Sequence, residues 1–198
     1  MENKEHPQLT ADLEGNYLIE EKGADEKAIG LFYAPTGGSV HKVAKRIKQK
    51  IKNRKVDMRY LQDVKAEQFL HYKYIIIVSS TLGQDAWQNK GKDEWAAFMP
   101  EIRKLSLNGH LIALVGLGNY VLYPGNFADG LRSLANTFKE RGATLIGATP
   151  ADDYSFTSSQ AVKDNMFVGL PIDEDNEADK TDARIEKWLS MILPEMEG

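Results

Sequence analysis

Ile29-Gly30-Leu31-Phe32-Tyr33-Ala34-Pro35-Thr36-Gly37-Gly38-Ser39 is an apolar run that breaks into a turn of small residues. Ile29 to Ala34 is short, apolar and bounded by a proline and paired glycines, which suits a strand buried on both faces of a parallel sheet. Val40, Val43, Ala44, Ile47 and Ile51 follow at helical spacing, so the turn opens directly into a helix. Between the two, Thr36, Gly37, Gly38 and Ser39 present hydroxyls and backbone N–H groups with little side-chain bulk at the positive end of a helix dipole. That is an arrangement suited to a phosphate. The alternative is an ordinary strand-to-helix turn with Gly38 or Ser39 near the N-cap. The loop lacks both G-x-x-x-x-G-K-[ST] and G-x-G-x-x-G, so a phosphate monoester fits it better than a triphosphate or a dinucleotide.

The rest of the chain supports one α/β domain. At 198 residues, with 42% hydrophobic and 27% charged residues, it can bury a substantial core. It has no cysteine, which excludes disulfides, thiolate metal sites, iron–sulfur clusters and cysteine nucleophiles together. No apolar run has the length of a membrane helix, and the polar start Met1 to Pro7 lacks the core of a signal peptide, so a cytoplasmic location is expected. The net charge of −4 hides an asymmetry. Lys42, Lys45, Arg46, Lys48, Lys50, Lys52, Arg54 and Lys55 crowd the first helix and its exit, whereas Asp173, Glu174, Asp175, Glu177 and Asp179 crowd another segment.

In chain order, residues 1 to 26 are polar, with a short mixed patch at Asn16 to Ile19, and read as an extension that either adds a short strand or forms a loose arm. Residues 27–198 form the domain. Val56 to Leu61 suits a sheet edge, Tyr74 to Val78 is a buried strand, and Leu111 to Val115 is another. A helix is expected from Asp93 to Leu105 despite Pro100, which should kink or shorten it. Phe127, Leu131, Leu134 and Phe138 mark a further helix ending near Gly142, and Ala143 to Ala148 a fifth strand. Pro150 to Leu170 is too long for a simple connection and reads as an ordered insertion with strand character near Phe167. A last helix starts near Thr181, whose hydroxyl can cap it, and buries Ile185, Trp188, Leu189 and Ile192. Alternating strands and helices imply a parallel sheet that binds ligands beyond the carboxyl ends of its strands, at a topological switch point.

The first loop with its helix, the Gly116-Leu117-Gly118 loop reaching Tyr123-Pro124, and the tail Phe167 to Asn176 followed by Thr181 to Ile185 together resemble the long-chain flavodoxins. The similarity runs from about Lys27 to Leu193. It implies a doubly wound five-stranded parallel sheet in the order 2-1-3-4-5, its last strand interrupted by the insertion, and one noncovalent FMN. Thr36, Gly37, Gly38 and Ser39, with the backbone at Ala34 and Pro35, would hold the phosphate. Ser80, Thr81, Leu82 and Gly83 would cover the inner face of the flavin. Gly118, Asn119, Tyr120 and Tyr123, with Asn126 and Phe127, would cover its outer face and pyrimidine edge, and Asp175 would approach the ribityl chain. The family usually has a hydroxyl residue at Ala34, Trp at Leu82 and Asp at Asn119. Trp87 is a candidate replacement for the missing tryptophan.

The resemblance implies a low-potential one-electron carrier that turns over no substrate of its own. Its partners would be a flavodoxin reductase-type donor and an electron acceptor, with no nucleic acid or membrane involved, and the carrier itself would be a monomer. A glycine peptide flips at low steric cost, so Gly83 could present its carbonyl to the half-reduced flavin. Asn119 and the modest net charge predict a fully reduced state formed at a less negative potential than is usual. An FMN-dependent NAD(P)H reductase of quinones or nitro compounds is one alternative, and an interaction module that has lost FMN is another. The spacing of Asp173, Asp175 and Glu177 starts like a calcium loop, but Ala178 and Arg184 stand where glycine and glutamate are needed. His6, His41, His71 and His110 show no metal-ligand spacing. The basic helix reads as a solvated face, or as a surface steering an acidic redox partner.

Overall fold

In the computed structural model, residues 9–11, 17–19, 27–80 and 94–197 are described. Strands β1 (Leu9–Ala11) and β2 (Tyr17–Ile19) pair antiparallel as a separate hairpin, with β2 beside the 3-10 helix Ala66–His71. The main sheet is built from β3 (Ile29–Ala34), β4 (Val56–Tyr60), β5 (Tyr74–Ser80) and β6 (Leu111–Leu117), all parallel. Beyond β6, the fifth position is shared. Strand β7 (Thr144–Ile146) pairs with its first half, Leu111 to Ala113, and β11 (Leu170–Ile172) with its second half, Val115 to Leu117. With the fifth position counted once, the order is 2-1-3-4-5 with an interrupted last strand.

The interruption is an ordered insertion. It carries the small antiparallel sheet of β8 (Thr149–Pro150), β9 (Val162–Lys163) and β10 (Met166–Phe167). The Thr149 hydroxyl donates to the Gly169 carbonyl at 2.7 Å, closing the insertion at its base. Inside it, Phe127, Tyr154, Phe156 and Phe167 pack with ring centroids 5.2 to 5.9 Å apart.

Period-two alternation explains why helices cover both faces. Leu31, Tyr33, Ile76, Val78 and Val115 join helices α1 (Gly38–Lys50) and α4 (Thr181–Glu195) in one core. Phe32, Ile75, Ile77, Ile112 and Leu114 join α2 (Glu94–Ile102) and α3 (Gly130–Glu140) in the other. Val40, Val43 and Ile47 of α1 are 4% exposed or less, and each such burial contributes on the order of 2 kcal/mol. At Gly30 the sheet leaves no room for a side chain, because a Cβ would lie 2.6 Å from the Tyr72 ring.

Several expectations are corrected. Helix α2 ends at Ile102, not Leu105: its hydrogen bonds tighten from Arg103 N to Met99 O into shorter turns at Lys104 and Leu105, just past Pro100. Phe127 precedes α3 and is fully buried against the insertion. The fifth strand spans Thr144–Ile146, as Gly147 turns the chain with φ 79° and accepts a hydrogen bond from the buried Trp188 indole. Thr181 lies inside α4, and its hydroxyl donates to the Glu174 carboxylate instead of capping the helix. Among the described residues no helix is long and apolar enough to cross a membrane, and no acidic or histidine cluster could hold a metal ion.

Candidate functional site

The carboxyl ends of the strands lie side by side. Ala34 is in register with Ser79, Ser80 with Leu117, and Leu117 with Ile172. The loops leaving β3, β6 and β11 therefore share one edge of the sheet with Ser80, the last residue of β5. Chain order reverses between β3 and β5, the switch point at which such sheets bind ligands. Thr81, Leu82, Gly83 and Trp87 lie outside the described residues.

The first of these loops is sparsely bonded. Pro35, Thr36, Gly37 and Gly38 are exposed and Ser39 is half-buried. Gly37 and Gly38 have φ of 77° and 55°, a left-handed backbone that glycine adopts without strain, and a Cβ on either would meet nothing within 4 Å. Gly37 is the N-cap of α1, no side chain bonds to that cap, and the first turn contains no acidic residue. Among the described residues the hydroxyls of Thr36 and Ser39 have no hydrogen-bond partner. The loop thus offers two hydroxyls, and N–H groups at Gly37, Gly38 and Ser39 that no described residue is seen to pair, at a helix end whose first turn carries no acidic residue. Beneath it, His41 stacks on Tyr33 with centroids 5.1 Å apart. Tyr60 reaches the Thr36 backbone, and its hydroxyl is held protonated, with its pKa pushed up to about 12 by burial and by the Glu94 carboxylate.

The loops after β6 and β11 are cross-bonded throughout. Asp173 is fully buried. Its Oδ2 accepts from Tyr120 N at 3.0 Å and Asn176 Nδ2 at 2.8 Å, and its Oδ1 from Asp175 N at 3.0 Å and Asn176 N at 2.9 Å. Gly118 N donates to the Ile172 carbonyl at 2.9 Å. Asn119 holds the other side. Its Oδ1 accepts from Val121 N, Leu122 N and Asn176 Nδ2, while its Nδ2 donates to Asp175 Oδ2 at 2.9 Å. A negative charge therefore stands beside position 119 even though the residue itself is neutral. Tyr123 N donates to the Asn119 carbonyl, which sets the half-buried Tyr123 at the end of the loop.

The expected site residues separate accordingly. Ala34 to Ser39, Ser80, Gly118, Asn119, Tyr123 and Asp175 come to the one edge. Tyr120 faces inward, its ring edge-on to Phe127 at 5.8 Å. Phe127 is 0% exposed, so its side chain builds the core and offers no surface to a ligand. Asn126 is exposed and donates to Asp129. Asp173 and Asn176 were not expected as site residues. The signal that could have found them is Asp-x-x-Asn directly after a buried strand, the pattern of a side chain organising its own turn.

The basic helix is partly neutralised. Arg46 pairs with Glu174 at 2.9 Å and Lys50 with Glu186 at 2.6 Å, tying α1 to the acidic segment and α4, while Lys42, Lys45, Lys48 and Lys52 are exposed.

The flavodoxin family model matches residues 31–188. Flavodoxin 1 of Azotobacter vinelandii is 36% identical over 169 residues, which cover 84% of this chain and 96% of that protein. A flavodoxin of a Nostoc species is 32% identical over 170 residues, covering 85% and 97%. Among solved structures, a point mutant of Fusobacterium nucleatum flavodoxin bound to flavin mononucleotide superposes with a TM-score of 0.73 at 26% identity, covering 85% of this chain and 96% of that one. With a sheet of this order and these matches along most of its length, the chain belongs to the flavodoxin family.

Proposed function

We propose that the chain is an FMN-binding one-electron carrier that shuttles electrons between redox proteins and has no substrate of its own. The observation that carries this reading is the loop 35–39, an uncapped helix N-terminus with two hydroxyls and left-handed glycines in a chain of this family. Its donors fit a phosphate monoester, since they supply N–H and O–H groups and no carboxylate.

FMN, when bound, supplies a centre that takes up and returns electrons one at a time. The protein's part is to bind, orient and shield it. Thr36 and Ser39 donate to the phosphate beside the backbone N–H groups of Gly37 to Ser39, with Ala34 and Pro35 shaping the approach. Ser80, Thr81, Leu82 and Gly83 would cover one face of the ring system and Gly118 to Tyr123 the other, with Tyr123 as the stacking residue. Asp175 would approach the ribityl chain, and the Asp173 network holds the covering loop in place before the ligand arrives, so little ordering is left for binding to oppose. The chain works as a monomer, with a reductase-type donor and a separate acceptor. Residues 27–198 carry the function, and residues 1–26 are an appendage to it.

Titration with FMN and with riboflavin, followed by flavin fluorescence, tests the reading. FMN should bind one to one and about 100-fold more tightly than riboflavin, the equivalent of about 2.7 kcal/mol from phosphate contacts. Equal affinities, or no binding of FMN, would overturn it.

A further inference from the structure

The side chain of Asn119 does two separate things. Through Oδ1 it accepts from the backbone N–H groups of Val121 at 3.1 Å and Leu122 at 2.8 Å, holding the turn that leads to Tyr123. Through Nδ2 it donates to Asp175 at 2.9 Å, tying that turn to the loop after β11. The amide can face only one way, because the backbone N–H groups and Asn176 Nδ2 all need an acceptor, and Asp175 needs a donor. A carboxylate at position 119 could keep the first role and would lose the second. It would instead face Asp175 at hydrogen-bond distance, charge against charge.

We infer that Asn119 is the positioning residue of the covering loop, and that its pairing with Asp175 leaves one exposed carboxylate at the mouth of the site, beside the buried Asp173, where two exposed carboxylates would otherwise repel. The inference rests on the flavin reading only for its redox consequence. Its structural part concerns the flavin-free chain alone. Asn176 and Asp173 complete the link, since Asn176 Nδ2 donates to both Asn119 Oδ1 and Asp173 Oδ2.

Three variants test it: Asn119→Ala, Asn119→Asp and the swap Asn119→Asp with Asp175→Asn. In flavin-free protein, amide hydrogen exchange at Val121 and Leu122 should quicken at least tenfold in Asn119→Ala and by less than threefold in Asn119→Asp, which keeps the acceptor. With FMN bound, Asn119→Asp should weaken affinity about tenfold. It should also lower the second one-electron midpoint by 30 to 60 mV, a three- to tenfold bias against the anionic, fully reduced flavin at about 59 mV per decade. The swap reverses donor and acceptor across the same contact and should restore affinity to within threefold of the parent and the midpoint to within about 28 mV, the same threefold at about 59 mV per decade. Unchanged exchange in Asn119→Ala would overturn the positioning role, and a swap that recovers nothing would overturn the pairing with Asp175. Failure of the parent protein to bind FMN would sink the flavin reading, leaving the exchange comparison to decide the positioning role by itself.

Discussion

The loop at 35–39 and the pair of loops at 118–123 and 173–176 leave the same edge of the sheet but are built in opposite ways. The first is exposed, is shaped by two left-handed glycines, and directs its hydroxyls at no described partner. The pair is organised around a fully buried carboxylate and an asparagine whose amide is bonded at both ends. The difference teaches where recognition and positioning reside. A bare helix terminus keeps its donors for a ligand, whereas a cross-bonded loop has used its polar groups on itself and presents a surface already in place. A ligand with a phosphate at one end and a flat ring system at the other suits both regions.

This contrast predicts that removing a bonding side chain costs stability in the paired loops and affinity in the bare loop. Asp173→Ala should have the largest effect. It leaves the N–H groups of Tyr120, Asp175 and Asn176 without their acceptor and should cost about 3 kcal/mol in urea denaturation; a loss under about 1 kcal/mol would place the organising role elsewhere. Gly37→Ala comes next. An added Cβ would meet nothing within 4 Å, so its cost is the backbone strain at φ 77° and ψ −173°, a region open essentially to glycine alone, about 1–3 kcal/mol and measurable by thermal unfolding. Thr36→Ala should change stability by less than about 0.5 kcal/mol while weakening FMN about tenfold in a fluorescence titration. A stability loss as large as that of Asp173→Ala would mean the loop is not bare.

The smallest effect is a pH dependence confined to the paired region. Burial opposes ionisation of Glu177, but a hydrogen bond from Lys180 and the ion pair with Arg184 at 2.7 Å outweigh it and hold the carboxyl below its ordinary value of 4.5. A carboxyl lowered in the folded state stabilises the fold above its ordinary pKa, and that contribution is lost as pH falls from 4.5 through the lowered folded value. The advantage of the parent over Glu177→Gln, below about 1 kcal/mol because Lys180 is solvent-exposed, should therefore shrink under acid in a pH series of unfolding curves.

How far the sequence could be read follows the same division. The bare loop is local, since its strand, glycines and helix are contiguous, and period-two and 3.6-residue patterns reveal it directly. The insertion is legible too, because a segment too long for a connection must carry its own anchors, whereas its splitting of the last strand comes from the resemblance alone. The paired loops are not local. Asp173 and Asp175 look alike in an acidic run, yet one is buried and the other exposed, and only contacts with Tyr120 and Asn119 across more than fifty residues tell them apart. Thr181 resembles a helix cap until Glu174 claims its hydroxyl, and Phe127 fits the apolar face of a helix until the structure starts α3 at Gly130 and buries the ring against the insertion.

The most direct test of the account is an anaerobic reductive titration of the FMN-loaded protein, followed by absorption. Two resolved one-electron steps, with a long-wavelength band that rises and then falls, are the predicted result. Direct two-electron bleaching, coupled to steady NAD(P)H oxidation by a quinone, would contradict the carrier and identify a reductase.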